Sequence, residues 1–365
     1  MIFKKQTLFL FTMLLLSAGA IAQLNYLPQG SPRAKVMQRV GITDIIVEYS
    51  RPQVKDRVVW GNLVPYGLSP NNFGTAAEIP WRAGANENTT IHFPADVKVE
   101  GKELKSGTYG LHMIPKEDGS FTVIFSHNSS SWGSYFYNEA EDALRVEVMS
   151  EEAPHHEMLT YEFISVGNDK TTLALFWAEK QIPVQIEIPT TDLVISRIKD
   201  DLRSQAGFSR QSWEQAAGYA LQAGEIDQAE QWINAAIAGN FFSQKTFQNL
   251  ATKSAILKAK GNTGEADKAL DEAISMANMA QLNTLGYQLL GQKNFDKAIE
   301  VFELNAKNNP SNANVFDSLG EGYKQAGMKD KAIANLKKSL SLNPPAAVKA
   351  NSLKLLKELG VEIAQ

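Results

Sequence analysis

The chain has 365 residues, a formal net charge of −4 and no cysteine. Without cysteine it can form no disulfide, no thiolate zinc site and no thiol nucleophile, so its core must be stable without such links. Because its basic residues form no stripe, nucleic acid and anionic membrane surfaces are unfavourable partners.

The first 22 residues have the order of a secretory signal peptide. Lys4 and Lys5 give a positive start, an apolar run follows over about 7–16, and Ala20-Ile21-Ala22 precedes Gln23. The apolar run is too short to favour a membrane span, and no later stretch is long enough for one. We therefore expect cleavage near Ala22/Gln23 and a periplasmic or secreted protein that does not span the membrane.

From residue 23 to about residue 190, apolar and polar residues alternate with a period of two, which is typical of strands with one buried face. In DIIVEYS, Ile45, Val47 and Tyr49 fall on one side, and ALRVEVM, MLTYEFISV, TTLALFWAE and IPVQIEI repeat the pattern. Turn residues separate these runs. We predict an antiparallel β-sandwich or jelly-roll-like domain over 23–190, whose last four runs, over 143–188, form a meander.

The middle of this domain is rich in loops and contains IPWRAGANENTTIHF, a segment with the residue types of a binding site. Trp81 offers a flat apolar face, Arg82 a cation, and Asn86 and Glu87 groups that hydrogen-bond to hydroxyls. Sandwich domains bind sugars with such a combination. The other candidates are Tyr49, Arg51, Arg57, Trp60, Trp132, Tyr135 and Tyr137.

The same segment has a structural interpretation. Trp81 would then plug one end of the sandwich and Arg82 would tie two loops together. GANEN would be a turn that holds Gly84 and an Asn in the left-handed conformation. Loop residues carry function often but not usually, and one sequence does not show which aromatic residues converge, so both interpretations stay open.

The sequence contains no catalytic motif: neither a G-x-S-x-G elbow, nor H-E-x-x-H, a Walker loop or a dinucleotide-binding glycine fingerprint. HHEML, at 155–159, misses the zincin spacing and is interpreted as a solvated loop. His92 and His112 lie on predicted strands and could meet across a sheet, but no third metal ligand accompanies them. We predict no catalytic residue, metal or cofactor, and favour a non-enzymatic protein while leaving the question of an enzyme open.

After residue 190 the apolar period becomes helical, and the chain repeats every 34 residues. The pairs at this spacing are Gly286 and Gly320, Ala298 and Ala332, Phe302 and Leu336, and Pro310 and Pro344. The segments LGYQLLGQKNFDKAIEVFELNAKNNP and LGEGYKQAGMKDKAIANLKKSLSLNP resemble the tetratricopeptide repeat, a pair of helices with small residues at the helix contact and a final Pro. The resemblance implies an all-α solenoid over 191–365, with three to four repeats over about 207–345 and a capping helix near 346–359.

The upstream units match this pattern less closely. SWEQAAGYALQAGEIDQAEQWINAAIAG keeps Ala229 at the small-residue position. In the next unit we align Gly264 and Ala269, which makes the step from Ala229 to Ala269 40 residues and the following step, to Ala298, 29 residues. These unequal steps leave the geometry of the second unit open.

Stacked repeats form a concave groove that is lined by the first helix of each unit. The residues predicted there are Asn283, Tyr287, Leu290, Asp317, Glu321 and Lys324. A groove that clamps a peptide's terminal carboxylate needs Lys, Arg and Asn. Because this one carries Asp317 and Glu321, a basic or mixed protein partner suits it better. Alternatively, the repeats merely brace the β domain.

The β half resembles the domain-of-unknown-function family numbered 2911 over about residues 25–190. The resemblance rests on SPRAKVMQRVGITDIIVEYSRPQVKDRVVWGNLVPYG, WRAGANENTTIHF, GTYGLHMIP and WGSYFYNEAEDALRVEV. That family is found in exported bacterial proteins, sometimes with tetratricopeptide repeats behind it. The resemblance therefore implies a domain and a compartment, and it implies no activity.

Together these patterns favour an exported envelope binding or scaffold protein. Its repeats would mediate protein–protein interaction, and its β domain would bind an unknown ligand or partner. The alternative is a glycan-active enzyme or a carbohydrate-binding module with its site in the β-domain loops, and a third possibility is a solute-binding accessory module without a partner. An acid pair about 5–10 Å apart in an aromatic cleft would favour the enzyme.

Overall fold

The structure is a computed structural model that describes residues 27–361. The predicted signal peptide, residues 1–22, lies outside the described residues. The chain divides into two compact units, with the boundary between Val194 and Ile195. Within residues 27–361, no helix has the length and apolar character that crossing a bilayer requires.

The first unit is built from twelve described β-strands. They are β1 (Arg33–Val40), β2 (Thr43–Ser50), β3 (Ser69–Pro70), β4 (Glu78–Ile79), β5 (Thr90–Phe93), β6 (Val97–Val99), β7 (Lys102–Leu104), β8 (Gly107–Pro115), β9 (Ser120–Ser126), β10 (Asp142–Met149), β11 (Glu151–Val166) and β12 (Lys170–Glu187). One sheet has six strands in the order β1-β2-β5-β8-β9-β10, another has four in the order β11-β12-β6-β7, and β3 pairs with β4. The neighbouring strands are antiparallel.

The two larger sheets face each other across one apolar core, which confirms the predicted sandwich. Ile45 and Val47 of β2 are fully buried and belong to the same cluster as Leu175 and Ile186 of β12. The residues between them along β2, such as Ile46, are more exposed. Alternation therefore placed one face of each strand in the core, where a large aliphatic side chain stabilises the fold by about 1.5–3 kcal/mol.

The predicted meander over residues 143–188 is wrong, because its four runs form three strands in two different sheets. β10 pairs with β9, whereas β11 pairs with β12, so the chain changes sheet between Met149 and Glu151. TTLALFWAE and IPVQIEI form a single strand. Within it, Ala178 has a left-handed backbone (φ +52°) where the register shifts, which bends the strand without ending it.

The predicted loop at HHEML is also wrong, since His155 and His156 lie inside β11. This strand is at the edge of its sheet, so most of its side chains are solvated and the apolar alternation that marks a strand is weak there. His155 is exposed, and its Nδ1 atom lies 2.8 Å from Oε1 of Glu179 on the neighbouring strand.

The rest of the described chain is helical, which confirms the predicted all-α repeats. The helices are α1 (Thr190–Asp201), α2 (Arg210–Gln222), α3 (Ile226–Ile237), α4 (Phe247–Ala259), α5 (Thr263–Met276), α6 (Met279–Gly291), α7 (Phe295–Asn308), α8 (Ala313–Gln325), α9 (Lys329–Ser341) and α10 (Ala346–Glu358). Consecutive helices from α2 to α9 pack as four pairs, and α10 packs against α9 and α8.

The turn inside each helix pair contains a residue with a left-handed backbone, and these residues give the correct alignment of the units. They are Gly224 (φ +82°), Gly261 (φ +83°), Lys293 (φ +60°) and Gly327 (φ +77°). Gly264, which we aligned from the sequence, instead lies in the first turn of α5. The second unit is therefore an ordinary helix pair, and the unequal spacing comes from its flanking loops, nine residues at 238–246 and two at 277–278.

Two glycines at the repeat spacing permit close contact between the helices of a pair. A Cβ atom on Gly286 would lie 2.4 Å from the Phe302 ring, and one on Gly320 would lie 2.7 Å from Cγ of Leu336. Phe302 and Leu336 are fully buried, so neither can move aside without cost. The 34-residue pattern of small and large residues is thus a packing requirement.

We predict that Gly286→Ala lowers the free energy of unfolding of the helical unit by about 1–3 kcal/mol, because the added methyl overpacks against Phe302. Gly218 is the matched control, since it lies in the interior of α2 and a Cβ atom added there would meet nothing within 4 Å. Gly218→Ala should raise stability by up to about 1 kcal/mol. Urea unfolding followed by circular dichroism at the helical minimum measures both, and shifts of the same sign would contradict the packing argument.

Candidate functional site

A depression of about 460 Å³ opens on the first unit, between the loop that follows β2 and the loop that precedes β5. Its lining residues are Gly30, Ser31, Pro52, Gln53, Lys55, Arg57, Leu63, Val64, Trp81, Arg82, Gly84, Ala85, Asn86 and Trp177. Four of the residues singled out from the sequence, Arg57, Trp81, Arg82 and Asn86, meet here. Lys55 and Trp177 were not singled out.

Indole rings form the apolar wall of the depression. Trp81 and Trp177 are stacked, with ring centres 5.8 Å apart and planes 14° from parallel. Trp60 meets both rings edge-on, at 5.6 and 6.0 Å, and it also meets Phe121 at 5.4 Å. Each such pair contributes about 0.5–1.5 kcal/mol beyond the area that it buries, so this wall is a rigid part of the core.

Two indole N–H groups in this cluster have no hydrogen-bond partner among the described residues. They belong to Trp60 and Trp177, and Trp177 is only 2% exposed. A buried donor without a partner costs about 1–3 kcal/mol. Both nitrogens are buried, and Trp60 does not line the depression, so these donors belong to the core and not to its open surface.

Arg82 joins the two loops on its side of the depression, as the structural interpretation predicted. Its Nη1 atom donates to the carbonyl oxygen of Asn86 at 2.6 Å. Its guanidinium carbon lies 4.9 Å from the centre of the Tyr135 ring, at cation–π distance. A Cβ atom on Gly133 would lie 2.2 Å from that carbon, so only glycine leaves room for the guanidinium there.

In the GANEN turn, the predicted left-handed Asn is confirmed as Asn86, whereas the prediction for Gly84 is wrong. The left-handed residues are Ala83 (φ +47°) and Asn86 (φ +59°), whereas Gly84 is not left-handed. Ala83 is held in this conformation because its carbonyl oxygen accepts from Thr89 Oγ1 at 3.1 Å and from Tyr161 Oη at 2.9 Å. Gly84 is required for space instead, since its Cβ atom would lie 2.5 Å from Thr89 Oγ1.

Left-handed backbone is concentrated around the depression. Eight non-glycine residues of the described chain have positive φ, and five of them lie in the depression's wall or next to a lining residue. These five are Lys55, Asp56, Ala83, Asn86 and Ala178. Such conformations cost about 1–3 kcal/mol each and cluster at binding and catalytic sites.

The charge that lines the depression is positive. Lys55, Arg57 and Arg82 line it, and its lining includes no carboxylate. Arg57 donates from Nε to the carbonyl oxygen of Val54 at 2.9 Å and from Nη2 to that of Gln53. Among the described residues, no carboxylate forms an ion pair with any of the three cations.

The remaining candidates on the β domain lie elsewhere or serve the fold. Arg51 donates from Nε to the Leu159 carbonyl oxygen at 2.9 Å and so ties β2 to β11. Glu87 lies 3.5 Å from the Ser50 hydroxyl, which donates to it. Trp132 is 52% exposed and does not line the depression, while Tyr135 reaches it only through Arg82.

Tyr137 belongs to a second polar cluster that the sequence did not reveal. Its hydroxyl donates to Oδ2 of Asp142 at 2.6 Å, and Arg145 Nε donates to the same oxygen at 2.6 Å. The other oxygen, Oδ1, is buried without a partner, and burial raises the pKa of Asp142. Tyr137, Glu139 and Arg145 line a neighbouring depression of about 440 Å³.

His92 and His112 lie on β5 and β8, yet each contacts a different residue. His92 Nδ1 lies 2.9 Å from Thr108 Oγ1, and His112 Nδ1 lies 2.8 Å from Ser134 Oγ. Over residues 27–361, no group of three or more His, Cys, Asp or Glu side chains is arranged to hold a metal ion. Burial, with a smaller contribution from the charge of Arg82, lowers the pKa of His112 to about 4.

We predict that His112 makes the first unit sensitive to acid. The unfolded chain binds a proton at this imidazole below about pH 6.5, whereas the folded chain does so only near pH 4. Stability from His112 is therefore complete above pH 6.5 and is lost as the pH falls to 4, by about 3 kcal/mol in total. His112→Asn should flatten the stability profile between pH 7 and pH 4.5 in denaturant titrations. His92→Asn keeps the buried imidazole and should retain the slope; equal slopes for all three proteins would contradict the assignment.

In the helical unit, four of the six predicted groove residues bond to a residue one repeat away. Tyr287 Oη donates to Glu321 Oε2 at 3.0 Å. Asp317 is buried and accepts from Asn351 Nδ2 at 2.8 Å and from the Ser352 hydroxyl. Lys324 Nζ lies 2.5 Å from Oε2 of Glu358.

These links form a ladder between the first helices of successive units. Three of them, 287–321, 317–351 and 324–358, span 34 residues. Burial raises the pKa of Asp317, and both of its carboxylate oxygens already accept hydrogen bonds from Asn351 and Ser352. Leu290 is 4% exposed and lies in the core, so Leu290 and Asp317 do not offer an open surface. The 34-residue spacing of complementary polar residues was the signal that sequence reasoning missed.

Exposed aromatic residues of the helical unit lie outside this groove. Phe208 is 64% exposed and Phe241 is 83% exposed, with ring centres 6.0 Å apart. Phe242 meets the Phe241 ring edge-on at 5.4 Å and stacks on Trp213 at 5.9 Å. We call Phe208, Phe241 and Phe242 the aromatic patch.

Comparison with known families gives two matches. Residues 31–186 match the family described as "Protein of unknown function (DUF2911)", and residues 313–345 match the tetratricopeptide repeat. A search of curated proteins found no match.

Solved structures resemble the helical part of the chain. YrrB, titled a TPR protein with an unusual peptide-binding site, is 14% identical, covering 45% of this chain and 84% of its own, with a TM-score of 0.29. PilF of Pseudomonas aeruginosa is 22% identical, covering 42% and 71%, with a TM-score of 0.29. The C-terminal part of a TPR repeat-containing protein from Cytophaga hutchinsonii is 16% identical, covering 46% and 76%, with a TM-score of 0.32.

The family matches confirm the resemblance that the sequence motifs indicated, in the same order along the chain. The first unit carries the DUF2911 match over residues 31–186, and tetratricopeptide repeats follow it.

Proposed function

We propose that this protein is an exported binding or scaffold protein of the bacterial envelope. Its β domain would bind a ligand in the depression described above, and its repeats would bind a protein partner. The observation that carries the proposal is the depression itself, where an indole wall and three cations without acidic partners come together. Apolar walls with a few convergent polar groups are typical of ligand sites.

The backbone conformation around the depression favours a ligand-binding site over a purely structural role for these loops. The strain of its left-handed residues is held by specific contacts, such as the two hydrogen bonds to the Ala83 carbonyl oxygen. Such contacts fix the loops before any ligand arrives, and a preformed site loses less entropy on binding. Arg82 ties the loops and also lines the depression, so the structural and the functional interpretations of this residue are compatible.

Tetratricopeptide-like repeats suggest protein–protein interaction. Because most of the predicted groove residues are engaged in the ladder, we assign the main partner contact to the aromatic patch. Exposed aromatic side chains that lie together are typical of protein interfaces. Phe208 and Phe241 have most of their surface available for such a contact.

The proposal of export rests on the charged and apolar order of residues 1–22. The resemblance of the β half to a family of exported proteins supports it.

The alternative is a glycan-active enzyme or a carbohydrate-binding module. Binding of a sugar suits the depression as well as any other ligand would. Hydrolysis normally needs two carboxyl groups beside the bond that breaks, and the lining of this depression includes none. Asp142, with its unpartnered buried oxygen, is the group that favours catalysis elsewhere on the domain.

We predict that ligands of the β domain stabilise the protein through Trp81. In a thermal-shift screen of saccharides and small anions, a ligand at 100 times its Kd should stabilise the fold by about 2.7 kcal/mol. Trp81→Ala should abolish the shift, whereas Trp132→Ala, which removes an exposed indole outside the depression, should leave it unchanged. Circular dichroism checks that each variant is folded. A shift that depends on Trp132 and not on Trp81 would place the ligand elsewhere.

We predict that the repeats bind their partner through the aromatic patch. The measurement is crosslinking in intact cells with mass spectrometry, using the full chain. The double variant Phe208→Ser/Phe241→Ser should reduce partner crosslinks at least tenfold, because truncating an aromatic anchor costs about 2 kcal/mol or more. Met276→Ser, at an exposed position at the end of α5, is the control. Crosslinks that persist in the double variant would remove the patch from the interface.

A further inference from the structure

We propose that the ligand of the depression is a saccharide that carries an oxyanion on its ring, such as a uronic acid. This inference rests on the proposed ligand-binding function of the β domain, and it follows from the balance of donors and acceptors around the depression.

The cationic side chains at the depression keep donors that form no hydrogen bond within the described residues. Lys55 is exposed, and its Nζ makes no hydrogen bond with a described residue. Asn86, whose amide could have offered both kinds of group, already donates from Nδ2 to Gln29 Oε1 at 2.8 Å and to the Ser31 carbonyl oxygen at 3.0 Å. The Oδ1 atom of Asn86 is left as an acceptor, so a complementary ligand offers acceptors to the cations and a hydroxyl donor to Asn86.

The charge at the depression requires a negative group on that ligand. Lys55, Arg57 and Arg82 line it without a carboxylate among the lining residues. The field of Arg82 reaches as far as the buried imidazole of His112, where it disfavours protonation. A neutral ligand would gain little from these charges, whereas an oxyanion would form charge-assisted hydrogen bonds with them.

The geometry of the Arg82 guanidinium also suits a planar or tetrahedral oxyanion. Its contacts with Tyr135 and Gly133 and the bond from Nη1 to Asn86 fix the guanidinium plane. Nε and Nη2 make no hydrogen bond with a described residue. These two nitrogens form the parallel pair of donors that carboxylate and sulfate oxygens accept side by side.

The indole wall requires that the anion be attached to a ring. Trp81 is half-buried and stacks on Trp177, which is only 2% exposed, so Trp81 is the indole that a ligand can contact. An aromatic face packs well against the apolar face of a pyranose. A small inorganic anion would use the cations and leave this surface unused. An acidic sugar uses both.

The test is isothermal titration calorimetry on the full chain with matched probes. Trigalacturonate is the carboxylate probe, its methyl ester has the same backbone without the charge, and inorganic phosphate has the charge without the ring. A sulfated oligosaccharide and its unsulfated parent separate the two sources of oxyanion. We expect at least tenfold tighter binding of an acidic saccharide than of its neutral counterpart, and a Kd that rises with salt.

Lys55→Gln is the informative variant, because it removes a charge from the depression without breaking a side-chain contact. It should weaken binding of the acidic probe about fivefold or more. Arg39→Gln is the matched control: Arg39 is exposed on the same unit and pairs with Asp44, 2.7 Å away, so its loss should leave the Kd unchanged. An equal effect of the two variants would show only a general effect of charge and would overturn the inference.

The other outcomes separate this inference from the proposed function. If neutral and acidic probes bind equally and both depend on Trp81, the oxyanion inference is wrong and ligand binding by the depression stands. If phosphate binds as tightly as the acidic sugars, the ring is unnecessary and the saccharide part is wrong. If no acidic saccharide binds, the inference fails, while ligand binding itself is decided by the thermal-shift screen.

Discussion

The first unit depends on the contact between indole rings that come from different parts of the chain. Trp177 belongs to β12 in the four-stranded sheet, Phe121 to β9 in the six-stranded sheet, and Trp60 and Trp81 come from loops. Trp81 also pairs its backbone with Met113 of β8. One cluster therefore closes the core, links both sheets and positions the loops that line the depression. The same side chains contribute to the core and to the depression, so a substitution that alters the depression also alters the stability of the core.

Two kinds of contact stabilise the second unit, one within each helix pair and one between neighbouring pairs. Between the helices of a pair, apolar side chains fill the space over glycine, as Phe302 does at Gly286. Between neighbouring pairs, polar side chains such as Asp317 and Ser352 add directional bonds at buried positions. The apolar contacts supply most of the burial, while the polar bonds set the register in which one pair meets the next.

The sequence predicted the structural features that depend on the local periodicity of apolar residues. Alternation in β2 and helical spacing after residue 190 follow from which face is buried. It could not predict that β10 and β11 join different sheets, because strand pairing is decided by distant segments. Trp81, Arg82, Arg57 and Asn86 stood out because an aromatic face beside cationic and amide groups is the combination that sugar-binding loops use. Trp177 and Lys55 did not stand out. Trp177 resembles the other apolar residues of its strand, and Lys55 reaches the depression because its backbone is left-handed, which its residue type does not predict.

The ladder has a consequence for the identity of each repeat. Its joints use different chemistry: a tyrosine meets a glutamate between α6 and α8, while an aspartate meets an asparagine, and a lysine a glutamate, between α8 and α10. The joint between α6 and α8 therefore differs in chemistry from the joint between α8 and α10. Exchanging, deleting or duplicating a unit would bring mismatched side chains face to face at half-buried joints. These joint-specific contacts therefore favour one order of the units that they join. An array of identical repeats, in contrast, can gain or lose units by recombination without such mismatches.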